Sequence, residues 1–471
     1  MRTLALVLCS TIAALAATAA EPAFKYFRSD SGISATSAHL PEDLNSASAL
    51  HWRVAMDAGQ STPIICSGKI FLTTWNRSAQ QLATVALDQQ TGKVLWKQIP
   101  LAPKIEAYHP QTGSPAPATP ACDGEHLYVF FGSYGLICYD LDGKKVWENR
   151  MGPFRDEYGA GSSPILIQDK VILSQDHDID SFVMAIDRSS GKTLWKTARP
   201  DAVRSYSTPV VWSHNGRKEL LVAGALELAS YDPQSGEKLW STHGLARIVI
   251  PVPVVSGDTI YMASWAPGGD MGKRIALDSW KTALVKWDKN RDGKLAPAEI
   301  EDNNVLERFS RMDLDQSGTL DESEWNRHAD VFRRAENALL ALKPSSARGE
   351  LSSGDVVWKY THGVPYVSTP LVHNGILWMV KEGGIVTKLD AATGKLLQEE
   401  RLPGIGGYYA SPVSGDRKVF FASEQGVVTA TVEERDWKVI SSRTFHEKIY
   451  ATPAIDGGHI YIRTEKALYC F

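Results

Sequence analysis

The stretch AIDRSSGKTLW (Ala185–Trp195) gives the clearest indication of the fold, because it joins two strand-like runs through a very short break. In that break the Asp side chain can accept a hydrogen bond from the backbone two residues further on, and the Gly permits a positive φ. The pattern therefore predicts a tight turn between two antiparallel strands. It recurs with small changes as ALDQQTGKVLW (Ala86–Trp96), YDLDGKKVW (Tyr139–Trp147), YDPQSGEKLW (Tyr231–Trp240) and LDAATGKLLQ (Leu389–Gln398).

A second recurring phrase, small residues and a proline followed by β-branched residues, gives the period of the repeat. Between eight such prolines the intervals are 57, 44, 45, 44, 117, 42 and 41 residues. A period near 44 with four strand-like runs per unit predicts one four-stranded sheet per repeat, which is the blade of a β-propeller. The prolines are Pro63, Pro120, Pro164, Pro209, Pro253, Pro370, Pro412 and Pro453.

The two ends of the repeat array predict how the ring closes. After Pro453 only three strand-like runs remain, whereas LHWRVAM (Leu50–Met56) has the pattern of a fourth strand that lacks a blade. Pairing this segment with the last three runs completes an eighth sheet and leaves no open edge. We therefore predict an all-β, eight-bladed propeller closed by a strand from the N-terminal side.

The interval of 117 residues exceeds the period of 44 by 73, which indicates an insertion in blade five. We interpret the segment that ends at Asp278 as three strands of this blade, and GDVVWKY (Gly354–Tyr360) as its fourth. On this interpretation the insertion, residues 278–352, replaces the turn between the third and fourth strands. That turn lies on the face of the ring opposite the central funnel, and surface turns tolerate insertion well.

The insertion contains two segments with the pattern of an EF-hand calcium loop, DKNRDGKLAPAE (288–299) and DLDQSGTLDESE (313–324). Calcium takes about six to eight oxygen ligands, and such loops supply them from alternate positions around a Gly at position six and a Glu at position twelve. Both loops have that Gly and that Glu, so we predict two calcium sites. The predicted ligands are Asp288, Asn290, Asp292, Lys294 (through its carbonyl) and Glu299, then Asp313, Asp315, Ser317, Thr319 (through its carbonyl), Asp321 and Glu324.

The residues after the second loop, SEWNRHADVFRRAENALLALK, predict one long helix. Its apolar stripe would consist of Trp325, Ala329, Phe332 and Leu340. No Met-rich groove that calcium could expose is present, which favours a structural or interaction role for the loops over a sensor role.

The first twenty residues, MRTLALVLCSTIAALAATAA, have one Arg, an apolar run and then small residues. This is the pattern of a secretory signal, here residues 1–19, followed by a lead segment over residues 20–49. Cys9 follows a Leu, which disfavours a lipoprotein anchor, and no later run is long enough to span a membrane. We expect a periplasmic or secreted protein.

Composition excludes some partners. The net charge of −4 provides no basic field for nucleic acid. Cys66, Cys122, Cys138 and Cys470 remain after the signal, too few for a disulfide scaffold. We expect them to be buried small apolar residues, and the sequence leaves any pairing open.

Seven of the fourteen Trp residues fall on predicted fourth strands, and we expect them to form a girdle through which neighbouring blades pack. Blade six departs from the pattern with Gln398 at that position, so looser outer packing is expected there. The seven are Trp52, Trp96, Trp147, Trp195, Trp240, Trp358 and Trp437.

The repeated A-x-D-x-x-T-G-x-x-x-W phrase resembles the pyrroloquinoline quinone (PQQ) enzyme-type repeat of eight-bladed propellers. That superfamily includes quinoprotein alcohol dehydrogenases and the barrel-assembly propeller of bacterial outer membranes, so it implies the fold more strongly than a function. The resembling dehydrogenases have a vicinal disulfide beside the cofactor, a catalytic Asp near a bound calcium, and long loops that wall the quinone. This chain has no adjacent cysteines, and about 47 residues per blade leave little for such walls.

In a propeller, the turns between second and third strands and the links between blades open on one face around the axis. Arg, Tyr and carboxylate side chains that converge there would form the default pocket for a small ligand. The polar turn SQDHDIDSF (Ser174–Phe182) is interpreted as polar surface and not as a metal site. The candidate funnel residues are Arg155, Glu157, Arg204, Tyr206, Arg247, Tyr366 and Lys381.

We thus expect an exported, calcium-binding PQQ-like propeller over residues 50–277 and 353–471, with the EF-hand pair between them. A non-enzymatic binding or assembly scaffold with protein partners in the cell envelope is the favoured function. Two alternatives remain: a PQQ-dependent oxidoreductase that uses the funnel, and a propeller that binds carbohydrate or peptide there.

Overall fold

Each repeat unit forms one four-stranded antiparallel sheet, and eight such sheets make up the ring. The computed structural model describes residues 25–34, 38–156, 158–267 and 277–471. The predicted signal segment, residues 1–19, lies outside the described residues. The eight-bladed propeller predicted from the repeat is confirmed.

The strands of each blade follow the chain from the axis outward. Blades one and two contain β2 (Ile64–Cys66), β3 (Lys69–Asn76), β4 (Gln81–Asp88), β5 (Val94–Gln98), β6 (Ala121–Cys122), β7 (His126–Phe131), β8 (Gly135–Asp140) and β9 (Lys145–Arg150). Blades three and four contain β10 (Ile165–Ile167), β11 (Lys170–Gln175), β12 (Phe182–Asp187), β13 (Thr193–Ala198), β14 (Val210–His214), β15 (Arg217–Gly224), β16 (Glu227–Tyr231) and β17 (Lys238–His243).

The second half of the ring includes the inserted helices. Blade five contains β18 (Val254–Ser256), β19 (Thr259–Ser264), β20 (Ala338–Leu342) and β22 (Val356–Tyr360), and β21 (Gly349–Glu350) joins the outer edge of blade four. Blades six to eight contain β23 (Leu371–His373), β24 (Ile376–Lys381), β25 (Ile385–Asp390), β26 (Leu396–Arg401), β27 (Val413–Gly415), β28 (Lys418–Ala422), β29 (Val427–Val432), β30 (Val439–Thr444), β31 (Ala454–Asp456), β32 (His459–Arg463), β33 (Ala467–Cys470) and, as outer strand, β1 (Trp52–Ala55). The helices are α1 (Trp280–Trp287), α2 (Asn303–Leu306), α3 (Phe309–Met312) and α4 (Glu322–Arg334).

The ring closes as predicted. Strand β1 pairs antiparallel with β33, from Trp52 opposite Cys470 to Ala55 opposite Ala467. Strands from the two ends of the chain therefore complete blade eight, and no sheet edge is left open at the seam.

A belt of hydroxyl groups explains the recurring Ser/Thr-Pro phrase. Before six of the eight prolines, the preceding Ser or Thr accepts, through its side chain, a hydrogen bond from the backbone N–H of the corresponding residue one blade earlier. At the 117-residue interval, the N–H of Val252 donates to Oγ1 of Thr369 over 3.1 Å, so the belt crosses the insertion without a break in register. The other donor–acceptor pairs are Thr62–Thr119, Thr119–Ser163, Ser163–Thr208, Thr369–Ser411 and Ser411–Thr452, each at 3.0 Å.

The Trp of the repeat packs on the Gly of the next blade's turn. Trp147 on β9 donates its indole N–H to the carbonyl of Arg188 over 3.0 Å, and its ring covers Gly191 so closely that a Cβ there would lie 2.5 Å from Cε3. Gly191 has φ +72°, so this position needs Gly for both the backbone and the contact. The same arrangement joins Trp52 to Gly92, Trp96 to Gly143, Trp195 to Gly236 and Trp358 to Gly394.

Two tryptophans of the predicted girdle depart from this arrangement. Trp240 lies on β17, but the turn of blade five is replaced by a longer loop, so its indole N–H donates to the Glu219 carboxylate of its own blade over 2.8 Å. Trp437 precedes β30 and is not on a fourth strand, which corrects that assignment. Its ring instead lies 5.7 Å from Nζ of Lys388.

The described part of the lead segment enters the ring. Arg28 is buried and donates to the carbonyls of Pro370 and Pro412, which precede the inner strands of blades six and seven, over 2.9 and 3.1 Å. Burial lowers the pKa of this guanidinium to about 9. The neighbouring Phe27 lines the central cavity. Residues 25–34 therefore anchor the N-terminal side of the chain to inner strands on several blades.

Two of the four cysteines form a disulfide, contrary to the expectation that all four are buried apolar residues. Cys66 on β2 is bonded to Cys122 on β6, so the inner strands of blades one and two are cross-linked. Sequence spacing did not reveal the pair because the two residues are 56 positions apart and meet only through the ring. Cys138 and Cys470 are free and buried, as expected.

The insertion lies on the other face of the ring from the one predicted. The third strand of blade five is β20, which follows the helices and pairs with β19 and β22. The insertion therefore separates the second and third strands, and the third-strand assignment before Asp278 was wrong. Because successive strands alternate in direction, this connection opens on the same face as the links between blades.

The strand β20 also corrects the predicted long helix. Helix α4 ends at Arg334, and Leu340, placed by the sequence on the apolar stripe, is buried in β20. The sequence ALLAL is compatible with either a helix or a buried strand. It forms a strand here because it pairs with β19 and β22. The insertion therefore ends near residue 337, just before β20, instead of at residue 352.

Candidate functional site

The central cavity lies on the ring axis, with a volume of about 420 Å³. All eight blades or their links contribute to its wall. Its inner surface includes hydroxyls of the belt, among them Thr119, Ser163 and Thr369. Its aromatic lining consists of Phe27, His109, Tyr158, Tyr206, Tyr366, Tyr409 and Tyr450.

The tyrosines of this wall are held by contacts with one another and with neighbouring groups. The rings of Tyr409 and Tyr450 lie 5.2 Å apart, and Tyr206 meets Tyr158 edge to face at 6.1 Å. The Tyr206 hydroxyl donates to Oδ1 of the buried Asp156 over 2.7 Å. Burial, followed by the Asp156 charge, raises the pKa of Tyr206 well above its ordinary value, so this hydroxyl stays protonated. The Tyr206 ring is thus held in the wall by its hydroxyl and by its contact with Tyr158.

Behind this wall lies a buried polar cluster between blades two and three. His177 stacks on Phe154 with ring centroids 4.2 Å apart, and its Nδ1 is 3.8 Å from Oδ2 of Asp156. Burial raises the pKa of Glu106, whose Oε1 accepts from the Ala160 N–H, to about 8. These groups hold the links that carry Tyr158 and Tyr206.

The SQDHDIDSF turn is part of this buried region and not of the polar surface, which corrects that interpretation. Asp176 forms a two-pronged ion pair with the buried Arg199 at 2.8 and 3.0 Å. Asp178 pairs with Arg204, which has a positive φ of 48°. Burial raises the pKa of Asp178 despite this partner. The sequence alone could not show that partners from the next link would bury the turn.

The first predicted calcium loop has the backbone that such a loop requires. Gly293, at the sixth position, has φ +75°. The Asp288 carboxylate accepts from the N–H groups of Asp292 and Gly293 over 3.2 and 3.0 Å, and Glu299 Oε2 accepts from Ala296 over 2.9 Å. The first and last predicted ligands are thereby turned toward the inside of the loop.

The second loop repeats this geometry and pairs with the first. Carboxylate oxygens of Asp313, Asp315 and Glu324 lie within 4.8 Å of one another. Leu295 and Leu320, the eighth residues of the two loops, exchange backbone hydrogen bonds of 3.0 and 2.9 Å. A core that includes Trp280, Trp287 and Trp325 supports both loops.

The module formed by residues 277–337 packs against the funnel face. Arg155, in the link after blade two, donates to the carbonyl of Leu314 in the second loop over 3.1 Å. A second cavity, of about 200 Å³, lies between the module and the links of blades three to five. The predicted calcium loops therefore lie at the rim of the funnel, not behind it.

The predicted funnel residues divide between these two cavities. Tyr206 and Tyr366 line the central cavity, whereas Arg204 and Arg247 line the cavity beneath the module. The structure thus does not bring the predicted Arg and Tyr residues together in one pocket, since Arg204 and Arg247 line the cavity next to the inserted module. Arg155 contacts the module, Lys381 at the end of β24 lines neither cavity, and Glu157 lies outside the described residues.

Several wall residues were missed from the sequence. His109 and Thr112 belong to the long link between blades one and two, and Phe27 belongs to the lead segment. The first interval of 57 residues, 13 longer than the period, was the available signal for this extra link. For Phe27 no local signal exists, since its position depends on where the lead segment enters the ring.

Fold and repeat together define an eight-bladed propeller of the PQQ-like class. A family model described as outer membrane protein assembly factor BamB matches residues 44–175, 81–265, 179–311 and 345–403. These matches cover more than half of the chain, so the chain belongs to this family. The solved structure of BamB from Moraxella catarrhalis is similar in fold, with a TM-score of 0.55, 12% identity, and coverage of 89% of this chain and 98% of that one.

Two quinone-dependent dehydrogenases are similar in sequence over part of the chain. Quinohemoprotein alcohol dehydrogenase ADH IIB of Pseudomonas putida is 26% identical over 166 residues, which is 32% of this chain and 22% of that protein. The dehydrogenase subunit of the alcohol dehydrogenase (quinone) of Gluconobacter oxydans (strain 621H) is 28% identical over 196 residues, 36% and 24% of the two chains. This chain thus matches about a quarter or less of these relatives.

The central cavity does not fit the quinone cofactor of that class. Pyrroloquinoline quinone has three carboxylate groups, which need cationic or strong donor groups around them. Among the described residues that line the central cavity, none is Arg, Lys, Asp or Glu.

In the described part of the chain no helix has the length and apolar character to cross a membrane.

Proposed function

We propose that this chain is an exported, non-enzymatic propeller that binds a protein partner of the cell envelope through its funnel face. The observation that supports this proposal is the wall of the central cavity, which consists mainly of aromatic rings and hydroxyls and has no Arg, Lys, Asp or Glu among its described lining residues. Tyrosine is enriched where one protein recognises another, because it offers a large rigid contact area and a hydroxyl. Membership of the outer-membrane assembly family agrees with a protein partner.

We also propose that both inserted loops bind calcium and that the loaded module forms part of the funnel face. Oxygen ligands from short-spaced Asp, Asn, Ser and a terminal Glu are those that calcium prefers. Calcium would neutralise the carboxylates that crowd each loop and fix the module against Arg155. Its role is structural, at the edge of the partner-binding surface.

A photo-crosslinking amino acid at position 450, on the cavity wall, tests the proposed surface. In envelope extract we expect discrete protein adducts from this position. The matched control is position 396, because Leu396 is exposed on an outer strand far from the funnel. Equal cross-linking from both positions would contradict a funnel-face partner.

Carbohydrate is the second candidate ligand, because the paired rings of Tyr409 and Tyr450 offer stacking faces for a sugar. An enzyme assay separates both candidates from an oxidoreductase. With added quinone and calcium we expect no dye-linked oxidation of alcohols. Saturable turnover would overturn the non-enzymatic proposal.

A further inference from the structure

Five arginines surround the cavity between the module and the propeller, which the proposed function does not use. They come from four separate segments of the chain, so their convergence depends on the way the module packs. Arg204 and Arg247 come from links between blades, Arg308 and Arg311 from the start and the body of α3, and Arg327 from α4.

The electrostatic environment of this cavity is strongly positive. Glu324 is the one carboxylate among the described residues that line it, and Arg204 is anchored by Asp178 on the propeller side. His328 also lines the cavity, where burial and then the charge of Arg247 and its neighbours lower its pKa to about 4. The imidazole is therefore neutral at neutral pH and adds hydrogen-bonding capacity without further charge.

We propose that this cavity binds a phosphate group, either free or as an ester. Guanidinium groups bind oxyanions through paired N–H donors, and they are the preferred side chains for phosphate recognition. A planar carboxylate is satisfied by one or two such groups that approach in its plane. Five groups from four separate segments suit a tetrahedral anion instead, and a volume of about 200 Å³ leaves room for part of an attached group.

The site shares residues with the second loop, so anion and calcium binding are coupled if the proposed calcium binding is correct. Glu324 lines the cavity and is the last predicted ligand of that loop, and Leu314 lines it as well. Calcium would neutralise Glu324 and raise the affinity of the cavity for an anion. By linkage, the anion raises calcium affinity by the same factor.

Titration of the full chain with inorganic phosphate, followed by calorimetry, tests the site. We expect saturable binding of one phosphate, weakened about tenfold or more in Arg308→Gln/Arg311→Gln. Arg247→Gln removes a guanidinium from the propeller side, without altering the module, and should weaken binding similarly. Arg333→Gln, an exposed arginine on α4, is the matched control and should bind as the wild type does.

Absence of saturable phosphate binding to the wild type, or wild-type affinity in both the Arg308/Arg311 and Arg247 variants, would overturn the proposal. Acetate binding as tight as phosphate binding would overturn the tetrahedral specificity. Flotation with phosphatidylglycerol vesicles, competed by inorganic phosphate, identifies a lipid headgroup as the source, and phosphate binding without flotation identifies a soluble phosphate. Unchanged phosphate affinity after calcium chelation would contradict the coupling between the two sites, but it would not contradict the anion site itself.

Discussion

At the scale of single residues, the ring is held by Trp–Gly pairs that join successive blades. Where the Trp is lost, as at Gln398 of blade six, the described turn of blade seven also lacks the Gly. The Trp and the Gly depend on each other for a steric reason, because only a residue without Cβ lets the indole ring lie flat on the turn and reach the carbonyl of that turn. The sequence predicts the Trp girdle and the Gly turns separately, but their contact requires the ring.

We predict that Gly191→Ala lowers the free energy of unfolding by about 2–3 kcal/mol. A methyl group would lie 2.5 Å from the ring of Trp147, and the backbone is at φ +72°. Gly216→Ala is the control, because Gly216 has φ +73° but no atom within 4 Å of the added Cβ, so about 1 kcal/mol is expected. Equal losses in urea unfolding would show that the indole contact contributes nothing.

We predict that Glu106 makes the protein less stable as pH rises. Its pKa is raised from 4.5 to about 8 by burial, so between these values the folded chain holds a proton that the unfolded chain releases. Unfolding then releases a proton, and stability falls from about pH 4.5 to about pH 8 and levels off above it. Glu106→Gln cannot ionise and should lose this part of the decline. Identical plots of urea midpoint against pH for the two proteins would contradict the prediction.

At the scale of elements, local patterns determine most of the strands but not the position of the insertion. The Asp–Gly turns and the Ser/Thr-Pro phrases mark blade boundaries because their hydrogen bonds are local or repeat in every blade. The buried run at β20 has no such mark, since its helix or strand state depends on β19 and β22, which are distant in sequence. A misassigned strand of five residues therefore placed the whole module on the wrong face.

We predict that Asp288→Ala with Asp313→Ala abolishes tight calcium binding and leaves the propeller folded. Each change removes the first predicted ligand of a loop, whereas the residues that pair β19 with β20 lie outside both loops. Calorimetry should show no calcium binding, and the fluorescence of the module's Trp280, Trp287 and Trp325 should no longer respond to calcium. Asp330→Ala removes a carboxylate of α4 outside both loops and should bind calcium normally. Loss of the propeller's β-sheet signal in the double variant would instead show that the module is needed for blade five.

At the scale of the whole molecule, closure by β1, the hydroxyl belt and one disulfide hold the ring together. The sequence shows the recurring residues of the belt, but it does not show that they form hydrogen bonds from blade to blade. The funnel is predictable as a face of the ring, since alternating strands bring its links together. The division of the funnel residues into a tyrosine cavity and an arginine cavity is not predictable from the sequence, because it depends on how the module packs on Arg155 and its neighbours.

We predict that Cys66→Ala/Cys122→Ala lowers the free energy of unfolding by about 2–4 kcal/mol. The bond closes a loop of 56 residues between adjacent blades, which restricts the unfolded chain. Thermal unfolding should show a lower midpoint for the double variant. A reductant should lower the wild type to the same midpoint and leave the variant unchanged, whereas an unaffected wild type would contradict the contribution of the bond.

Closure by β1 also sets an order of events during synthesis. Residues 52–55 form the first strand of the ring in chain order, yet they pair with residues 467–470, which form the last. Until then blade eight cannot form, and the growing chain exposes an unpaired edge, the condition under which β-proteins aggregate. Completion of the ring thus waits until residues 467–470 are available, and deletion of these residues should leave the chain as an open arc.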